Sequence, residues 1–524
     1  MDIFFILYVV YWGLAILTAL FVLTDNKRPP EVNLLWLFIL LFIPFVGLII
    51  YIVFGVNLKR QTIFKVLAED LLKQRYRGRL EAQKRWLSTI SQMSAVDLAE
   101  KLNAGDTPGT LTHAVFDIAK DSDCRKTVRM MLDTCGAPLA VNESMRLVFT
   151  GTEAFESLTA DLNAARRSVD MEFYIWRSDR TGEEILSILE ERAKAGVRIR
   201  LIFDSIGCWG KISFSYRRKL KAAGISYRWF LDPLSYFGHR QINFRTHRKA
   251  VIIDEKICYT GGMNIGDEYR FPNEKKWYKS WRDTFFRLEG NSAAYMQDIF
   301  EIDWHNSNKG EIKRGNFSSV DEYPEDESVD SVFAALSGVS KDASLAQIVC
   351  SGPDSSVDSI ELLYGSLIAN ANKYVYIQSP YFIPSDNVLK TLQTAALSGI
   401  EIKIITTGIA DKRIPYFVAE TYFDELLSCG VEIYRYTEGF FHPKMVLIDG
   451  KIATVGSCNF DVRSFRLDYE INAVLYDVDA IGVLQRQFLA DKEKSVKIPT
   501  EYYRNLPFFN RLLHSVFRIG SPLM

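Results

Sequence analysis

Cysteine is scarce in this chain and follows no pattern. The seven residues, Cys124, Cys135, Cys208, Cys258, Cys350, Cys429 and Cys458, are odd in number and form neither a CxxC pair nor a CxxC…HxxxH spacing. Scattered thiols of this kind argue against a disulfide framework and a zinc site, and they fit a reducing compartment. Excess charge is missing too, since 63 basic residues face 64 acidic ones for a net charge of −1. A nucleic-acid groove needs a basic surplus, so no nucleic-acid partner is expected. Histidine is rarer still, with six in 524 residues, and no Asp/Glu/His cluster shows a ligand spacing. Neither a metal nor another cofactor is expected.

Apolar sequence is what the chain has in quantity. A hydrophobic content of 48% over 524 residues allows two globular domains plus membrane segments. Residues 3–24 and 32–58 carry no charge, and Asp25 to Glu31 make a tight connection between them. Each stretch suffices for about 20 residues of spanning helix. Asp2 stands where a signal peptide would place a basic start, and a second apolar span follows at once. Residues 1–58 are therefore expected to form a two-helix transmembrane hairpin. Lys59, Arg60, Lys65, Lys73, Arg75, Arg77 and Arg79 follow the second span, against Lys27 and Arg28 in the turn. Both ends should then face the cytoplasm, where a basic helix also attracts anionic lipid. A merely solvated helix fits those charges equally well.

Beyond the hairpin, one pattern is written twice. His247, Lys249 and Asp254 form HxKxxxxD, and His442, Lys444 and Asp449 repeat it 195 residues later. In both copies an Asn follows the His by 17 residues, Asn264 in Gly261-Gly262-Met263-Asn264 and Asn459 in Gly456-Ser457-Cys458-Asn459. Upstream, Ala195-Gly196-Val197-Arg198-Ile199 answers Ser398-Gly399-Ile400-Glu401-Ile402, each a helix end, a glycine and a β-branched strand. Whole domains are duplicated, and strands alternating with helices argue for α/β layers. The expected division is a helical connector at 59–140, a first domain at 141–305, an acidic, proline-broken linker at 306–344, a second domain at 345–492 and a basic aromatic tail at 493–524. The connector should pack on the first domain, and the linker should be a disordered loop.

These residue types suit exchange at a phosphodiester. Its negative charge repels nucleophiles, so fixed positive charge and donors are needed where charge accumulates, and Lys249, Lys444, Asn264 and Asn459 supply them. Residues two apart in a strand share a face, so each His would project with its Lys toward one phosphate. One His attacks phosphorus while the other protonates the leaving alkoxide, forming a phosphohistidine that a second alcohol resolves. A nucleophilic imidazole also needs its other nitrogen held by an acceptor. Asp254 and Asp449 end apolar strands; alone each reads as a turn-forming Asp, and within the motif they support the site through hydrogen bonds. His113, His239, His305 and His514 receive structural readings, with substrate contact left open for His239.

The doubled HxKxxxxD with trailing GGxN and GSxN resembles the phospholipase D superfamily. Asn243-Phe244-Arg245-Thr246-His247-Arg248-Lys249, Asn459-Phe460-Asp461-Val462-Arg463-Ser464-Phe465 and the apolar hairpin resemble bacterial cardiolipin synthases in particular. That resemblance implies two phospholipase D-like domains sharing one interdomain active site, in a multi-pass protein of the bacterial inner membrane with its catalytic domains cytoplasmic. It implies His247 as nucleophile and His442 as acid/base, an order that the near symmetry of the copies leaves open. Glu470, 28 residues after His442, resembles the supporting carboxylate, and Asp283, 36 residues after His247, is the matching candidate for that histidine. The implied reaction transfers a phosphatidyl group between two phosphatidylglycerol molecules and releases glycerol. A hydrolytic phospholipase D, a tethered nuclease, transfer to another alcohol or phospholipid, and a non-catalytic lipid-binding protein are the alternatives. Residues 502–524 interleave Tyr, Phe and Leu with Arg504, Arg511 and Arg518, which fits either an interfacial helix or one docked on its own domain.

Overall fold

The computed structural model describes residues 3–24, 30–43, 45–51, 68–102, 109–232, 243–273, 276, 278–307, 326–337, 339–340, 343–502 and 504–518. Its centre is a mixed sheet whose two halves run in the same order toward a common seam. From the outer edge the first half lays down Ser226–Phe230, Arg198–Asp204, Ser168–Phe173, Lys249–Ile253, Ile257–Gly261, Trp281–Gly290 and Ala140–Thr150. The second lays down Glu432–Tyr436, Glu401–Thr407, Tyr374–Gln378, Met445–Ile448, Ile452–Gly456, Asp468–Leu475 and Ser344–Ser351. Antiparallel pairing of Val141 with Leu345 joins them. The first three strands in each of these orders are parallel, with Ser495–Lys497 antiparallel outside Glu432–Tyr436 in the second half, and parallel neighbours need crossover helices. Arg180–Lys194 and Asp386–Leu397 are two of these. Each ends at a left-handed glycine, Gly196 at φ 90° and Gly399 at φ 93°, which frees the chain to turn into the next strand. The paired segments around Gly196 and Gly399 thus take the helix, glycine, strand order that their sequences predict.

Two-residue strands tie the halves together a second time. Arg245–Thr246 runs parallel to Asp468 and Tyr469, while Phe440–Phe441 runs parallel to Trp281 and Arg282. The helices ahead of the first domain touch both halves rather than the first alone. Arg75 and Tyr76 bond Asp298 of the first half, whereas Gln347 of the second half donates to the carbonyls of Val128 and Ala137. Within the expected linker, Val329–Leu336 is a helix capped by Ser328, and Val332, Phe333 and Leu336 are buried. Its spacing of apolar residues is helical, so burial overrides the local charge. The acidic run from Asp321 to Glu325 lies outside the described residues, as do His239, Lys27, Arg28, Lys59, Arg60 and Lys65.

Among the described residues, one helix is long and apolar enough to cross a membrane, over Phe5–Leu23. The second apolar stretch is not one span there. It forms Pro30–Phe42 and then Val46–Ile50, with Phe45 between them at φ 61°. The break falls at Phe45, whose left-handed backbone cannot continue a right-handed helix. The first two helices pack together, and Tyr11 donates its hydroxyl to the Leu40 carbonyl at 2.8 Å.

Candidate active site

Both motif histidines sit where the chain leaves a short strand paired with the other half and is about to enter its own. His247 and Arg248 lie between Arg245–Thr246 and Lys249–Ile253, and His442, Pro443 and Lys444 lie between Phe440–Phe441 and Met445–Ile448. The histidines are therefore not strand residues, contrary to the reading of HxK as a strand face. Their backbone N–H groups go to the other half instead, His247 to the Tyr469 carbonyl and His442 to the Arg282 carbonyl, each at 2.8 Å. Each Lys still returns to its own His: Lys249 Nζ donates to the His247 carbonyl at 2.6 Å and Lys444 Nζ to the His442 carbonyl at 2.5 Å.

The supporting carboxylates cross the seam. His247 Nδ1 meets Glu470 Oε1 at 2.9 Å, and His442 Nδ1 meets Asp283 Oδ2 at 2.7 Å. Asp283, expected to serve His247, serves His442, and Glu470 serves His247. The physical reason is the parallel pairing of each carboxylate strand with the short strand before the other half's His. A carboxylate accepting from Nδ1–H leaves Nε2 of both rings as the bare nitrogen. Glu470 takes a second hydrogen bond from the Ser457 hydroxyl. Asp283 takes one from the Thr284 N–H at 2.7 Å. A Cβ at Gly262 would stand 2.1 Å from Asp283 Oδ1, so the glycine of Gly-Gly-Met-Asn makes room for that carboxylate.

Burial sets the charges. His247 is held well below the usual histidine range, first by burial and then by Lys249 and Lys444. His442 is lowered to about 4 by burial and Lys444, against the opposing pull of Asp283. Each imidazole thus feels the lysines around it and is neutral near pH 7. Burial also lowers Lys249 to about 7 and Lys444 to about 8, with Glu470 and Asp283 opposing it in both. Two such ammonium groups beside two bare imidazole nitrogens make a receptor for one anion.

The remaining predicted residues divide. Asp254 is not brought to the histidines: its carboxylate accepts the N–H groups of Arg166, Arg167 and Ser168 at 2.6–3.2 Å. Asp449 does the same for Asn372, Lys373 and Tyr374 at 2.8–2.9 Å. Each stands one strand length from its Lys, about 16 Å at the usual rise per residue. Both occupy left-handed backbone at φ 55°, which Asp tolerates, and they fasten a neighbouring strand's start. Asn264 is committed locally, accepting the Ile175 N–H at 3.0 Å and donating to the Tyr269 hydroxyl at 2.9 Å. Asn459 is buried with Oδ1 unpartnered among the described residues, so one side of its amide remains available.

Several residues at the site escaped the sequence reading. Ser457 was visible in Gly-Ser-Cys-Asn, but nothing local announced its bond to Glu470. Asp468 precedes Glu470 by two, so strand alternation alone would have placed both on one face. Arg248 is buried, pairs with Asp303 and donates to the Glu470 carbonyl at 3.3 Å, tying the first half to the second. Arg282 reaches Asp491 at 2.7 and 3.0 Å across the same boundary.

His247, Asp468 and Glu470 also bring possible ligand atoms within 4.8 Å of one another. Glu470 is already committed to His247 and Ser457, Asp468 faces Arg463 at 3.3 Å, and the two lysines adjoin the group. That donor set suits an anion better than a divalent cation.

Comparison with known proteins agrees with this geometry. The family described as cardiolipin synthase, PLD-like domain, matches residues 158–276 and 364–492, and phospholipase_D-nuclease N-terminal matches 13–55. A cardiolipin synthase of Geobacillus sp. (strain WCH70) is 32% identical over 504 residues, covering 96% of this chain and 91% of the relative. Cardiolipin synthase 2 of Bacillus cereus (strain ATCC 14579) is 32% identical over 513 residues, covering 97% and 90%. Among solved structures, the phosphatidylserine synthase of Haemophilus influenzae Rd KW20 superposes with a TM-score of 0.56 at 13% identity, over 77% of this chain and all of that one, which speaks for the fold. The doubled motif, its crossed carboxylates and these near full-length matches make the chain an enzyme of the cardiolipin synthase family of phospholipase D-like proteins.

Proposed function

We propose that the protein transfers a phosphatidyl group from one phosphatidylglycerol to the headgroup hydroxyl of another, through a phosphohistidine on His247. The observation that carries this reading is the pair of histidines, each oriented by a carboxylate from the opposite half so that only Nε2 is bare. A bound phosphodiester lies between the ammonium groups of Lys249 and Lys444, with Asn459 as a further contact. Its negative charge raises both imidazoles, so His442 arrives protonated although the free site holds it low. Nε2 of His247 forms a bond to phosphorus as the bond to the glycerol oxygen breaks, and His442 gives that oxygen its proton. The second phosphatidylglycerol then gives its hydroxyl proton to His442, forms the new P–O bond and breaks the P–N bond. One phosphodiester is exchanged for another, so no nucleotide is consumed, and excluding water favours the lipid alcohol over hydrolysis.

The membrane arrangement follows the same reading. Residues 1–58 anchor the chain as a two-helix hairpin, with both ends and the domains at 141–305 and 345–492 on the cytoplasmic side. The packing of Tyr11 on Leu40 supports a paired anchor, as do the exposed apolar faces of both helices. Product analysis of the purified protein in phosphatidylglycerol vesicles tests the function. Equal amounts of cardiolipin and glycerol are expected; phosphatidic acid as the main product would make this a hydrolase, and no product would sink the assignment.

A further inference from the structure

We propose that the C-terminal helix Phe508–Arg518 is a second membrane-docking element, which lies in the bilayer interface and sets the active-site mouth against the lipid surface. The proposal rests on the phosphatidyl-transfer reading for its purpose and on the helix's own geometry for its substance.

This helix is fixed by one face only. His514 is buried and stacks on Phe417 at 4.8 Å, Phe517 packs behind it at 6.5 Å, and Arg518 reaches Glu425 at 3.0 Å. The segment leading into it is fastened by Tyr502, which takes a hydrogen bond from Arg435 at 3.0 Å and gives one to Glu420 at 3.1 Å. The opposite face is apolar and uncovered: Phe508 is 72% exposed, Phe509 70% and Val516 53%, with Leu512 and Leu513 beside them. Positions 508, 509, 512, 513 and 516 recur with helical spacing, so they form one stripe. A helix that is held and yet leaves two phenylalanines in water is built to cover them with something.

Three observations commit that something to a lipid surface. The Phe5–Leu23 helix is of membrane-crossing length and composition, and on the transfer reading both substrates are bilayer lipids. The helix is docked at the mouth: Phe417 lies near the start of Arg413–Leu427, directly after Lys412, whose charge acts on His247. Lys211 of the first half feels the charge of Lys412; near it in sequence Trp209 and Phe214 are 66% and 69% exposed, and Ile414, two residues after Lys412, is 42% exposed. Lys211, Lys412 and Arg413 are interleaved with them. Aromatic and aliphatic side chains among cations are the chemistry of an anionic-lipid interface, where the apolar groups enter the acyl boundary and the cations meet headgroups.

The test uses the full chain in phosphatidylglycerol-containing vesicles. An environment-sensitive fluorophore is placed on Phe509→Cys in a Cys429→Ser background, the other six cysteines being buried. The label is expected to be quenched by nitroxides at shallow acyl positions and shielded at least five-fold from aqueous iodide. Iodide quenching as free as that of the fluorophore on free cysteine would overturn the proposal. Shielding accompanied by label–label energy transfer would also overturn it, by assigning the face to a second copy of the chain. In parallel, Phe508→Ser/Phe509→Ser should lower turnover about five-fold when phosphatidylglycerol is sparse in the bilayer, with turnover at saturating surface density unchanged. An equal loss at every density would mean a merely structural role. Because the label reads depth and not product, a failed transfer assignment leaves its answer intact.

Discussion

The two copies of the motif share a topology and differ in what surrounds it. Around His247 the neighbours are polar: Glu470 with its Ser457 partner, Asp468, Arg463 and Lys412, with the ring of Tyr174 at 5.1 Å. Around His442 they are aromatic: Trp281 at 5.2 Å, Phe440 at 5.6 Å and Tyr269 at 6.4 Å. The carboxylates differ in kind as well. Glu470 reaches its imidazole and is steadied by a serine hydroxyl, whereas the shorter Asp283 is admitted by the missing side chain of Gly262. Duplication supplied two equal frames, and substitution within them made one polar end and one apolar end of a single site.

The sharpest break of that comparison is to remove either histidine. His247→Ala and His442→Ala should each lower cardiolipin formation by about ten-thousand-fold, because residues acting as a unit fail together. The copies should separate in a trapping experiment: with labelled phosphatidylglycerol, His442→Ala is expected to retain label on protein while His247→Ala retains none. The reverse pattern would exchange the two roles. Next in size, Gly262→Ala should cost about a hundred-fold in turnover by displacing the carboxylate that orients His442. Ser457→Ala, which removes the hydroxyl's bonds to Glu470 and to the Ile471 backbone but no space, should cost about ten-fold. Equal losses in the two variants would remove the distinction between a carboxylate admitted by space and one steadied by a hydroxyl.

Much of this was legible in the chain. A repeat preserving 195 residues across His, Lys, Asp and Asn could come only from duplicated domains. The Gly196 and Gly399 segments showed in advance where helices give way to strands. What stayed hidden was long-range. Assigning Asp283 to His247 followed chain order, but strand pairing between the halves decides the partner, and no local pattern encodes which short strand meets which. Asp254 and Asp449 show the opposite case, their hydrogen bonds being expected but the partners, backbone N–H groups of a neighbouring strand's start, not. Their recurrence looked functional, yet the turn each one makes is a property of the frame, copied with it. Over residues 32–58 the absence of charge spoke for one span, while the described residues form two helices with Phe45 in left-handed backbone between them, a local turn that no charge count registers.

A smaller effect should distinguish the two lysines. Lys249 is lowered to about 7 and Lys444 to about 8, so each loses its charge as pH rises through those values. Capture of an anionic lipid by the free enzyme needs both charges, and kcat/KM should therefore decline by about ten-fold per unit from about pH 7 and by about a hundred-fold per unit above about pH 8. The acid limb belongs to His247, whose Nε2 must be bare to attack phosphorus, and burial with Lys249 and Lys444 places it well below the usual histidine range. Lys249→Arg keeps its charge across this range and should move the alkaline limb toward 8, while Lys444→Arg should leave it near 7. An alkaline limb unmoved by Lys249→Arg would show that another group controls it.

The smallest effect on turnover belongs to the two aspartates of the repeat, and it divides frame from chemistry. Asp254→Asn and Asp449→Asn keep a residue that tolerates φ 55° but weaken the charged hydrogen bonds to three successive backbone N–H groups. Each should lower stability by about 1 kcal/mol, read as a fall in melting temperature. Turnover per folded molecule should stay within about two-fold of the parent, since the carboxylates stand a strand length from the lysines. The two variants should also match each other, because the clamps are alike in both halves where the surroundings of the histidines are not. A large loss of turnover at unchanged stability would place these carboxylates in the chemistry after all.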